Sequence, residues 1–284
     1  VLRRYRSGVP ALLVTGVYAV AVAVAGVVAL TAGDLGPLWW LTVFVEQEED
    51  VTATSPRVLV LVLAGAAWAW ALWQSLRGPL AGPPPELDRD TRRLRQVLYA
   101  VAAASLLLTV LPSWPWWTTA VLSLMTAVMV VLFQPVVGRN LEYAGYARTA
   151  GVLGYGGTAA VEVLDEIGVP VPGWLPLICG FSGLVWMVLA LRAQRWDGRW
   201  RRSTVRYGIA ALVVPLAAAP AAGVLFGVDD VYASAMGATG ALMVIWLART
   251  AHELADPRPE PAPSEPVPSG PVPSEPVPSE PSGP

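Results

Sequence analysis

The sequence contains no lysine: all 19 of its basic residues are arginine. It has one cysteine, Cys179, and one histidine, His252. A single cysteine excludes an internal disulfide, a CxxC redox pair and a thiolate metal cluster, and a single histidine excludes His-rich metal or haem sites built within one chain. Charge is scarce at 14% of residues, against about a quarter in a soluble globular domain, while 55% are hydrophobic and the mean hydropathy is +0.52. That is a membrane composition. No nucleophile elbow, phosphate loop, dinucleotide fingerprint or metalloprotease helix is present. Ser123, Ser182 and Ser234 stand isolated, with no histidine placed to activate them. The expectation is a non-enzyme with no cofactor, no metal and no nucleic-acid partner.

What the chain does have is a set of long apolar runs and a concentration of arginine. Residues 192–207, RAQRWDGRWRRSTVRY, carry six arginines (Arg192, Arg195, Arg199, Arg201, Arg202 and Arg206) between two apolar runs. Such a segment is expected to lie in water, and arginine-rich loops between spanning helices stay on the cytoplasmic side. A spanning helix needs about 20 predominantly apolar residues. Eight segments are read as spans: 9–31, 57–76, 96–111, 118–137, 149–164, 175–191, 208–226 and 233–248. With 192–207 inside, 18 of the 19 arginines fall in inside segments and Arg57 alone lies outside. The outer segments are acidic, with Asp34, Glu46, Glu48, Glu49, Asp50, Asp165, Glu166, Asp229 and Asp230. The fold class is therefore all-α, a polytopic bundle of eight transmembrane helices over residues 1–256, both termini cytoplasmic. Absence of lysine together with abundant Ala, Val, Gly and Pro suggests a G+C-rich bacterial source, hence the bacterial inner membrane. The basic residues ahead of the first run also suit a signal peptide, but the run is long and more spans follow, which favours an uncleaved anchor.

Local features refine this map. Trp39 and Trp40, ahead of the acidic run 46–50, are expected at headgroup level, and PSWPWW at 112–117 reads as an outer aromatic belt. Asp88 or Asp90 is placed to cap a short helix leading into the third span. Gly65-x-x-Trp68 before Arg77 matches Gly183-x-x-Trp186 before Arg195. Each is followed by an Arg-Arg pair and a tyrosine, Tyr99 or Tyr207. Duplication of a four-helix unit would give this pattern, although coincidence in an Ala/Leu/Val-rich chain is the simpler reading. From residue 257 the chain is proline-rich, the unit P-[AV]-P-S-[EG] recurring from Pro261 onwards, and so many prolines preclude helix and ladder alike. This tail, 257–284, is expected to be a disordered, polyproline-like spacer of up to ~80 Å.

Titratable groups inside a membrane are costly and usually functional. Glu162 is the one such group in the eight spans, and Asp165 and Glu166 follow on the same helix face. They form a candidate cation or ligand site at an outer vestibule, against the plainer reading of a solvated helix end. Gly151, Gly154, Gly156 and Gly157 on that span are read first as close-packing residues. Cys179 is read as a small buried apolar residue and His252 as a solvated residue just beyond the last span. The six arginines of 192–207 are candidate contacts for anionic lipid or a protein partner. Two function classes follow. The first is a sensory or accessory component acting through cytoplasmic loops; the alternative is a small secondary transporter using the Glu162 region.

Overall fold

A computed structural model describes residues 5–44, 53–82, 86–111, 114–137, 143–225 and 229–256, with side chains undescribed over 215–239. The acidic run 46–50 and the proline-rich tail lie outside the described residues. Among the described residues ten α-helices follow one another: α1 Gly8–Ala32, α2 Gly36–Val43, α3 Ser55–Leu76, α4 Arg89–Val110, α5 Trp117–Val137, α6 Ala144–Gly151, α7 Gly157–Glu166, α8 Trp174–Asp197, α9 Arg202–Leu225 and α10 Asp229–Glu253. A π-helical turn, Val152–Gly156, joins α6 to α7. No strand occurs among the described residues, only an isolated bridge between Tyr5 and Leu80.

Five of these helices, α1, α3, α4, α5 and α8, are long and apolar enough to cross a membrane. Their outward faces are apolar as well. Val17 is 71% exposed on α1 and Leu177 73% on α8, surfaces that water would penalise and lipid would not. This is a helical membrane protein.

The packing is a closed circuit. α10 lies against α9, α3 and α4; α4 continues to α5, α5 to the α6–π–α7 segment, that segment to α8, and α8 to α9. α3 carries α1, and α2 packs on both. The centre is aromatic, with Trp186 edge-on to Phe133, Tyr155 and Trp246, and Trp200 stacked on Phe133. The glycines of α6–α7 allow the close approach expected of them. A Cβ on Gly154 would lie 2.5 Å from the Gly183 backbone nitrogen, and one on Gly157 would lie 2.5 Å from Cys179 Sγ. Cys179 is buried as anticipated.

Three local expectations change. Residues 36–43 form a helix whose Leu38 and Trp39 are buried against α1 and α3, while Trp40 stays 52% exposed. Of the tryptophan pair, only Trp40 is exposed. Asp88 occupies the N-cap position, but the helix it begins is the third span itself, continuous from Arg89. The arginine-rich stretch is mostly not loop. α8 runs to Asp197 and α9 starts at Arg202, leaving 198–201 between them, with Trp200, Thr204 and Val205 buried. The reason is tertiary: these residues face α10, whose helix outlasts its apolar run.

Candidate functional site: a buried polar network at the arginine-rich end

The helices that begin or end near arginine gather at one end of the bundle. The N-terminal segment lies along the α3–α4 connection, Arg6 N donating to Pro79 O and Ser7 N to Arg77 O. Leu80 N donates to Asp256 Oδ1 at 2.8 Å, tying that connection to the end of α10. Arg201, between α8 and α9, reaches the same Asp256, its Nη2 3.4 Å from Oδ2.

Beneath these contacts sits a buried ion pair. Arg249 and Glu253 are one helical turn apart on α10, their side chains 8% and 5% exposed, with Nη2 3.1 Å from Oε1. Burial of two charges is tolerable only when every remaining donor and acceptor is met. Here Arg249 Nε donates to Thr204 Oγ1, Nη2 also to Ser203 Oγ, and Nη1 to Gln74 Oε1. Glu253 accepts from Thr204 Oγ1 at 2.6 Å and from Arg201 N at 2.8 Å. One layer deeper, Trp246 Nε1 donates to Gln194 Oε1, and Gln194 Nε2 to Thr250 Oγ1. Four stretches of chain are thus pinned to α10.

His252 belongs to this network. It is 5% exposed, in contrast to the solvated position expected from the sequence, because α4 and the end of α3 close over it. Its ring centroid lies 5.5 Å from that of Tyr99. Burial pushes its pKa down to about 3, the guanidiniums of Arg77, Arg95 and Arg249 push in the same direction, and a backbone hydrogen bond with Ser75 opposes them. Arg77 is also pushed down, first by its own burial and then by Arg249. It donates to Tyr5 OH at 2.9 Å and lies over the Tyr5 ring.

The network opens on a cleft of about 1190 Å³, bordered by Glu86, Asp88, Asp197 and Asp256 and by Arg199 and Arg201. Of the six arginines, Arg199 is held by Asp197 and the Val136 carbonyl, and Arg201 by Asp256. Arg192 lies over Trp196 and Tyr143 and is exposed, as are Arg195, Arg202 and Arg206. Arg201, although paired, is exposed too, so five of the six are exposed.

At the end of α7, Glu162 is half-buried with no hydrogen-bond partner for its buried Oε2, while Asp165 and Glu166 are exposed. Among the described residues, no three His, Cys, Asp or Glu side chains converge as they would around a metal ion. Between α7, α8, α9 and α10 a cavity of about 220 Å³ is lined by Tyr155, Thr158, Cys179 and Met243 among others.

Sequence reasoning missed Arg77, Arg249, His252 and Glu253 as a unit. Two signals pointed to them: the Arg249–Glu253 spacing of four, and the amides Gln74 and Gln194 set at the ends of apolar runs. No family model, no curated protein and no solved structure matches this chain.

Proposed function

We propose that the chain is an eight-span integral membrane protein with both termini cytoplasmic, and that it is a non-enzymatic sensory or accessory component. It would act through its cytoplasmic end, in a bacterial inner membrane. The observation that carries this reading is the arginine-rich end. It fixes the N-terminal segment and two connections onto α10 as one surface with a cleft, and its buried charged groups are spent on holding that surface together. Glu253 is saturated with donors, so it is poorly placed as a general base. A stable polar face fringed by Arg202 and Arg206 suits a protein partner or anionic headgroups.

Two measurements in a Cys179→Ser background test this. Cysteines placed at Ser203 and Ser264 should be protected from a membrane-impermeant reagent in intact cells. Labelling of either would overturn the orientation and the role together. A photo-crosslinking residue at Arg206 should give one discrete protein adduct in cells, and only lipid or no adduct would remove the protein partner.

The alternative reading is a small secondary transporter whose coupling carboxylate is Glu162. The buried, unpartnered Glu162 Oε2 and the π-helical turn one helical stretch before it support this reading, since π turns often mark functional positions.

A further inference from the structure

A second charged edge lies away from the α10 network, where α5, α6 and α8 meet. A shallow groove there is lined by Val130, Phe133 and Val137, one face of α5, and by Trp186 and Leu189 of α8. Tyr143 and Arg148 border the same groove at the start of α6. Arg192 adjoins it, its guanidinium 5.6 Å from the centre of the Tyr143 ring and 4.8 Å from that of Trp196. The two arginines mark one depth. Arg148 immediately precedes the apolar run 149–164, and Arg192 immediately follows the run 175–191. Both are exposed, and Trp196, one turn beyond Arg192, is 66% exposed. Tryptophan and arginine at the ends of apolar runs belong at headgroup level.

Neither guanidinium has a carboxylate partner among the described residues. Arg148 Nη1 donates to the neutral amide Gln134 Oε1 at 3.3 Å, and Arg192 rests on ring faces. Arg199, Arg201 and Arg249 differ, each paired with an Asp or a Glu. Two uncompensated charges beside an apolar groove call for a molecule with a negative head and a hydrocarbon body. A zwitterionic headgroup brings its own cation back beside the guanidiniums, where like charges repel. A free anion meets the arginines but leaves the groove without apolar cover. We propose that this groove binds one anionic phospholipid, its phosphodiester held by Arg148 and Arg192 and an acyl chain along the faces of α5 and α8. The site is separate from the face fringed by Arg202 and Arg206.

Arginine suits this task, because its planar fork offers paired N–H groups to two phosphate oxygens. The contacts already made restrain both forks: Gln134 holds one, and the Tyr143 and Trp196 rings hold the other. Less side-chain freedom is then lost when a headgroup arrives. The groove also spans a junction that is already tight. A Cβ on Gly151 would lie 2.5 Å from Val130 Cγ1 and 2.6 Å from Trp186 Cδ1, so α6 is seated directly on α5 and α8. A lipid held by Arg148 on α6 and Arg192 on α8 bridges that junction, and its binding stabilises the fold by mass action.

The test uses the full chain, delipidated in a neutral detergent and offered phosphatidylglycerol or phosphatidylcholine with identical acyl chains. Native mass spectrometry counts the lipid retained, and melting reads its effect. Wild type should retain one phosphatidylglycerol saturably and gain about 3 °C or more in Tm, while phosphatidylcholine does neither. Arg148→Gln with Arg192→Gln should weaken retention about tenfold or more. Arg89→Gln with Arg93→Gln removes equal charge from exposed positions on α4 and should leave retention unchanged. If the first pair fails to fold, competition on wild type decides: excess phosphatidylcholine that leaves the bound phosphatidylglycerol in place supports the site, and displacement overturns it. Equal retention of the two lipids, or undiminished retention in the Arg148 and Arg192 variant, would mean ordinary boundary lipid and overturn the proposal. Displacement by inorganic phosphate at matched ionic strength would make the site one for free anions. In a Cys179→Ser background, a disulfide between two copies through cysteine placed at Ala147 would put protein in the groove. Either result would equally overturn the lipid.

Discussion

Glu253 in the last turn of α10 and Glu162 near the end of α7 are both carboxylates placed where an apolar helix runs out. A negative charge there opposes the helix dipole, and the two ends meet that cost differently. Glu253 is 9% exposed and has three donors, two from residues 201–204 and one from its own helix. Glu162 is half-exposed, and its neighbours Asp165 and Glu166 point to the surroundings. The first end is enclosed and rigid because the arginine-rich connections and the N-terminal segment fold back over it. The second has only the short turn 167–173 beyond it. Ionisable residues become structural when the chain returns to cover them, and remain candidates for exchange with solvent or ligand when it does not.

The largest effect should come from breaking the enclosed end. Glu253→Gln leaves Arg249 buried without its countercharge and replaces one of the two oxygens that accept from Arg249, Thr204 and Arg201 N with a donor amide. Breaking a buried pair from one side costs about 3–5 kcal/mol. The melting temperature in detergent should fall sharply, while the double variant Arg249→Met with Glu253→Leu should recover much of the loss, since no uncompensated charge remains. A Glu253→Gln protein that melts with wild type would show that the pair is not closed off from water.

Acid should separate the two ends next. His252 has its folded pKa held near 3, below the ordinary histidine value of about 6.5. The unfolded chain therefore binds the extra proton first. Stability from this group is fully present above about pH 6.5 and falls as pH drops towards 3. At pH 5 the loss reaches about 2 kcal/mol. Melting curves in gluconate from pH 8 to 5 should show it, and His252→Gln should flatten them. A wild type as stable at pH 5 as at pH 8 would mean that His252 is hydrated in solution.

These two predictions rest on residues that local sequence pattern could not join. The helices were legible because hydropathy is local: over the described residues each apolar run coincides with helix, five of the helices are long and apolar enough to cross a membrane, and Trp68, Trp186 and Cys179 face inward. The glycine-rich span was legible as a packing surface because small residues at helical spacing have few other uses. The polar network was not. Gln74 and Arg249 are 175 residues apart, and the pattern around His252 and Glu253 matches a helix end entering water. Only the return of residues 198–204 over α10 turns that end into core. The six arginines misled for the same reason: their composition could not say that Arg199 and Arg201 are paired within the fold, or that Arg201 is exposed alongside Arg202 and Arg206.

The smallest effect is expected at Glu162. If this carboxylate reaches water from the end of α7, Glu162→Gln removes one weakly interacting charge. The cost should then stay within about 0.5 kcal/mol, as for most surface changes. Melting curves of wild type and Glu162→Gln from pH 5 to 8 in gluconate should run parallel, both carrying the acid loss that His252 imposes. The carboxylate-coupled alternative requires more. Glu162, Asp165 and Glu166 would have to share a cavity, where mutual repulsion makes the first proton hard to release, and the two curves would diverge towards neutrality. Proteoliposomes carrying an internal pH dye give the second readout: an imposed cation gradient should drive no protein-dependent proton flux. Flux that disappears in Glu162→Gln, together with diverging melting curves, would move the working centre of this protein from the arginine-rich end of α10 to the open end of α7.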